Sequence, residues 1–188
     1  MPRKFYTGTL AIKQQIYIMM NNPVPISTLF IGLNGFIGFA LSYIVVMERT
    51  RTRVWHGESE ADTSNQQNYL ENPSKWAAFV ESYTQKLVAT KTSDDGVLQR
   101  KVRAFGNFME YVPLALLFIL TLEFMNSQVW LLWLLGSALT VGRVAHGWGV
   151  IKTYGPSPGR AIGFFLTWFV YLVGAGACVL YGTIGVLQ

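Results

Sequence analysis

Arg103, Asn107 and Glu110 lie within VRAFGNFMEYVPLALLFILTLEF, an apolar run long enough to cross a bilayer. On an α-helix, positions i, i+4 and i+7 share one face, so a guanidinium, an amide and a carboxylate point the same way. A charge near the middle of a bilayer costs roughly 2.5–3.5 kcal/mol on insertion scales, so such a stripe is expected to face protein or a wet pocket and to mark a functional site. The next apolar run carries a second pair on one helical face, Arg143 and His146, spaced i and i+3. Arg160 follows Ser157-Pro158-Gly159, and serine before proline is a helix start signal. A cation in a first helical turn, beside outward-pointing N–H groups, makes a place for an anion. Positive surroundings of that kind also favour a thiolate over a thiol. Taken singly, His146 also fits a satisfied core histidine, Arg143 a snorkelling anchor and Arg160 an interfacial anchor. No metal ligand set is assigned.

These residues sit in a chain of 188 residues that is 51% hydrophobic and 13% charged. Soluble domains average about 25% charged residues, so the deficit indicates a membrane protein. The net charge of +5 gathers at the ends of apolar segments, where the positive-inside rule puts it, and points to no nucleic acid. The single cysteine, Cys178, excludes an intrachain disulfide; within LVGAGACVLYG it reads as a packing residue. Residues 1–20 lack the compact apolar core and small-residue site of a signal peptide.

Four segments meet the requirement of roughly 20 mainly apolar residues: 26–47, 102–124, 128–151 and 161–186. All are expected to be helices, because an isolated strand leaves its backbone unpaired in lipid. The fold expected is thus an all-α membrane protein, a four-helix bundle over a single domain spanning 1–188. The short Met125-Asn126-Ser127 link makes the second and third spans an antiparallel hairpin. Glycines in the first and fourth spans (Gly32, Gly35, Gly38, Gly174, Gly176) read as packing signals. The long connection 48–101 holds an insertion over about 56–96. Trp76, Phe79, Val80, Tyr83 and Leu87 recur there at helical spacing after a capping Ser74, which predicts an amphipathic surface helix on the membrane or on a partner. A further interfacial helix is expected over 5–20, ended by Pro23 and Pro25. Basic residues in or beside connections 1–2 and 3–4 (Arg49, Arg51, Arg53, Arg100, Lys101, Arg103, Lys152 and Arg160) place those connections in the cytoplasm and both termini opposite. Arg3, Lys4 and Lys13 oppose this weakly.

RAFGNFMEYVPLALLFILTLE followed by VGRVAHGWGVIKTYGPSPGRAIG resembles the membrane-associated proteins in eicosanoid and glutathione metabolism, the MAPEG family. Arg-x-x-x-Asn-x-x-Glu, then Gly-Arg-x-x-His on the next helix, carries the resemblance. It implies a four-helix protomer in a homotrimer, with glutathione bound as co-substrate between subunits at the cytoplasmic side. It also implies roles: Arg103, Asn107 and Glu110 as second-helix glutathione contacts, Arg143 and His146 as third-helix contacts, Arg160 facing the sulfur. An arginine near the end of the first span completes the set; Arg49 is the nearest match, with Arg51 and Arg53 as rivals. Gly106, Val150, Ala161 and Phe164 depart from arginine, tyrosine, serine and tyrosine in eicosanoid-type members, which implies fewer glutathione contacts.

The activity implied is a glutathione transferase or peroxidase acting on apolar electrophiles or lipid hydroperoxides. The long insertion favours a second reading, a non-catalytic accessory subunit docked to a larger membrane complex. A transporter fits less well, because the ionisable residues gather at one membrane face.

Overall fold

A computed structural model of the chain describes residues 22–55, 73–87, 96–153 and 155–187. The helix expected over 5–20 and the basic residues Arg3, Lys4 and Lys13 lie outside the described residues, as do the side chains of Val80 and Leu87. The described elements are helices: α1 (Pro25–Thr52), α2 (Lys75–Leu87), α3 (Val97–Phe124), α4 (Val129–Lys152) and α5 (Pro158–Leu187). All but α2 are long and apolar enough to span a membrane.

Each spanning helix runs beyond the apolar segment read in the sequence. Continuing the helix satisfies backbone groups as the chain leaves hydrocarbon, at no cost to side chains that reach water. The extension of α1 places Glu48, Arg49 and Arg51 on its last turns. That of α3 adds Val97 to Lys101 ahead of the polar stripe. Pro25 opens α1 at its first turn, where its missing N–H costs nothing. Ser74 caps α2 through its Oγ, which accepts from the Ala77 N–H at 3.2 Å. The α3–α4 turn closes through Asn126, at φ 54°.

Helices α3 and α4 form the centre, each packing against both α1 and α5. The core between them is aliphatic and fully enclosed, with Ala115, Ile119, Leu122, Leu135 and Leu139. Large apolar side chains such as Phe36, Phe39 and Leu172 point outward, as lipid-facing residues must. Of the glycines singled out as packing signals, Gly38 and Gly174 meet Phe108 and Phe118, while Gly32, Gly35 and Gly176 face open space. The close approaches fall instead on α4 and α5, at Gly136, Gly142, Gly149, Gly159 and Gly163.

Acids tie the two ends of the bundle. At the end holding the α3–α4 turn, both oxygens of Glu123 accept backbone N–H groups of the first turn of α1, from Ile26 at 2.9 Å and Ser27 at 2.6 Å. A carboxylate on a helix N-terminus satisfies orphan donors and meets the positive end of the helix dipole. Glu123→Ala is expected to destabilise the bundle by about 1–2 kcal/mol, the range for loss of an N-cap. Thermal unfolding in detergent checks this. At the opposite end Glu48, fully buried, accepts from Lys101 Nζ at 2.8 Å and lies 3.5 Å from Arg51. That pair locks the last turn of α1 to the first turn of α3, below the polar stripe.

Candidate functional site

Because α3 begins at Val97, the stripe occupies its first half, where successive turns present Arg100, Arg103, Asn107 and Glu110 to one side. They line a cleft of about 550 Å³ with Gly96, Gln99, Val102 and Gly106 of the same segment, Val150 of α4 and Arg160 of α5. Three guanidinium groups and one carboxylate therefore border a single open hollow. Arg103 and Glu110 make no hydrogen bond or ion pair among the described residues, so their polar groups are available to a ligand in the cleft. Two other guanidinium groups are held at its wall. Arg160 donates to the Gly155 carbonyl at 2.9 Å, and Arg100 to the Ile151 carbonyl at 3.4 Å.

Arg160 is placed by the helix start expected around Ser157. Pro158 is the first residue of α5, and Ser157 Oγ accepts from the Arg160 backbone N–H at 3.4 Å. The start of α5 can lie this close to α4 because Gly149 has no side chain. A Cβ there would stand 2.6 Å from the Arg160 backbone nitrogen. Gly149→Val is expected to push α5 away from α4 and cost about 1–3 kcal/mol, as overpacking does. A fall in unfolding temperature with loss of ligand binding would show it.

A smaller cavity of about 140 Å³ adjoins the cleft and shares Asn107 with it. Arg143, His146, Tyr111, Phe164, Thr167 and Trp168 complete its lining. The Asn107 amide donates to His146 Nε2 at 3.3 Å, and His146 Nδ1 lies 3.4 Å from the Arg160 carbonyl. One neutral tautomer serves both bonds, with Nδ1–H donating and Nε2 accepting. His146 thereby links α3, α4 and α5 at the point where the two cavities meet.

Arg143 is 3% exposed. Its guanidinium donates to Thr167 Oγ1 at 3.4 Å and lies 5.9 Å from the centre of the Phe108 ring. Its Nε has no partner, and among the described residues no carboxylate lies within ion-pair distance. A buried cation with no carboxylate in direct contact is expensive, so this position is poised for an anion.

Of the seven residues named from the sequence, Arg103, Asn107, Glu110 and Arg160 share the larger cleft, and Arg143 and His146 border the smaller. Arg49 lines neither; its guanidinium donates to the Trp55 carbonyl in the turn after α1. In the sequence Arg100 stands out only as one of the basic residues beside connection 1–2. Its spacing of three from Arg103 already put it on the stripe. Thr167 carried a similar signal, seven residues beyond Arg160 on one face of α5. Tyr111 and Trp168 had none, being indistinguishable from lipid-facing aromatics.

A family model for the MAPEG family matches residues 27–180, which reaches into all four spanning helices and takes in both cavities. The chain belongs to the MAPEG family. It is therefore an integral, multi-pass membrane protein with a four-helix MAPEG bundle. Among curated proteins it is similar to the inner membrane protein YecN of Escherichia coli K12, at 35% identity over 52 residues. The match takes in 28% of this MAPEG chain and 40% of YecN, so the chain spans well under half of that relative. YecN of E. coli O6:H1 matches over the same extent. No solved structure matches.

Proposed function

We propose that this MAPEG protein is a glutathione-dependent transferase or peroxidase that acts on apolar electrophiles or lipid hydroperoxides in the membrane. The observation that carries the reading is the convergence of Arg103, Asn107, Glu110 and Arg160 on one cleft. Its volume, about 550 Å³, falls in the range of about 300–1,000 Å³ usual for small-molecule sites. Glutathione has two carboxylates, one ammonium and one thiol. Arginine forks suit the carboxylates, Glu110 suits the ammonium, and Asn107 suits a peptide group. The cations outnumber the one acid, as a ligand of net negative charge requires.

Arg160 is assigned the sulfur. A guanidinium beside a thiol favours the thiolate, which is the nucleophile. In conjugation the sulfur attacks an electrophilic carbon, an S–C bond forms and the leaving group departs with its electron pair. In peroxide reduction the sulfur attacks the hydroperoxide, the O–O bond breaks, and a lipid alcohol and a sulfenic acid result. A second glutathione then reduces the sulfenic acid, yielding glutathione disulfide and water. The apolar second substrate arrives from the lipid, along the groove between copies.

The reading includes a homotrimer with the cleft between copies, on the cytoplasmic side. In that arrangement Arg49 contributes to the cleft of a neighbouring copy. Calorimetric titration with glutathione in nanodiscs, with turnover of an apolar electrophile and a lipid hydroperoxide, tests the proposal. Saturable binding with either turnover supports it. Absence of both rejects it in favour of the non-catalytic reading.

A further inference from the structure

Helix α2 stands outside both cavities, and its two faces differ. At 100° per residue, Trp76, Phe79 and Tyr83 fall within about 60° of one another. They form a ladder, with ring centroids 5.7 Å and 6.2 Å apart, and all three are exposed. Lys75 and Lys86 lie along one border of that sector and form no ion pair among the described residues. Glu81 lies roughly opposite it. There Arg53 holds Glu81 Oε1, at 2.7 Å from one terminal nitrogen and 3.1 Å from Nε. Arg53 is the residue that ends α1, in the left-handed conformation at φ 60°. The pair therefore ties α2 to the level at which a membrane span leaves hydrocarbon.

Two further tryptophans mark that level. Trp55 follows the end of α1, and Trp148 lies one turn before the end of α4, with Lys152 Nζ 5.2 Å from its ring centre. Tryptophan and tyrosine concentrate at bilayer interfaces, and lysines bordering an aromatic face reach to lipid phosphates. From this continuity with the spanning bundle and from the uncompensated lysines, we infer that α2 is an interfacial helix. Its Trp76–Phe79–Tyr83 face rests in the surface of a bilayer containing anionic lipid, and its Glu81 face is clamped by Arg53. This inference does not depend on the glutathione reading.

The test uses full-length protein carrying Cys178→Ala, with Phe79→Cys or, on the other face, Gln85→Cys, each labelled with an environment-sensitive fluorophore. The samples are vesicles of phosphatidylcholine and phosphatidylglycerol, with and without lipid spin-labelled near the headgroup. Quenching by the spin label is expected to be about twofold or more stronger at position 79 than at 85, as for a helix lying in the interface. Adding Lys75→Glu and Lys86→Glu is expected to reduce that difference. Equal quenching at both positions would overturn the inference. So would a probe at 79 shielded from both the lipid label and aqueous iodide, which is the signature of a protein partner. A difference unchanged by the charge reversals would overturn the assignment to anionic lipid.

Discussion

Arg160→Ala is expected to lower kcat for glutathione conjugation by about 10²–10³-fold, the loss seen when one preorganised charge-stabilising donor is removed. The guanidinium is held by the Gly155 carbonyl at 2.9 Å, so its position in the cleft is set before any ligand arrives. Its contribution is charge at the sulfur, and the carboxylates of glutathione have Arg100, Arg103 and Arg143 to bind. Binding should therefore weaken much less than turnover falls. The ultraviolet thiolate absorbance of bound glutathione separates this role from a structural one. It should disappear in Arg160→Ala and persist in part in Arg160→Lys. A variant with unchanged kcat and a raised KM would make Arg160 an anchor for the ligand and no part of the chemistry.

Arg143→Met is expected to have opposite effects on stability and on binding. Arg143 is 3% exposed, keeps Nε unpaired and makes no ion pair among the described residues. Methionine retains the apolar stem against Phe108 and removes the charge. Replacing a poorly compensated buried charge with an apolar group of similar volume is often neutral or stabilising, by up to about 1–4 kcal/mol. The unfolding temperature of the ligand-free protein should thus hold or rise. Glutathione affinity should fall by about 10–100-fold, which corresponds to losing a charge-assisted hydrogen bond of roughly 1.5–3 kcal/mol. Stability tolerated below its optimum for the sake of a ligand is a common property of binding sites. If the variant unfolds at lower temperature and binds glutathione normally, Arg143 is a packing residue.

The four spans, their hairpin, the capped surface helix and the start of the last span were legible in the sequence. Lipid permits few solutions for an apolar segment of that length, and caps are local. The polar stripe on α3 was legible for the same reason, since a fixed helical period turns spacing into a shared face. Element ends were less so: the helices continue into polar turns that hydropathy does not count, which is how Arg100 joined the cleft.

Contacts between distant parts of the chain were decided by the tertiary structure. Asn107 reaching His146, Glu123 capping the helix that begins at Pro25, and Arg53 clamping Glu81 join residues between 28 and 97 positions apart. No periodicity records such a pairing. The lone burial of Arg143 is also a tertiary fact, because a snorkelling anchor and an enclosed cation share one sequence pattern. So is the close seating of α5 on α4 through Gly149, where glycine matters for what it omits. Residue type and helical period determined which groups were available for chemistry. The packing of α3, α4 and α5 decided which of them meet, because that depends on the approach of three helix surfaces and not on any one of them.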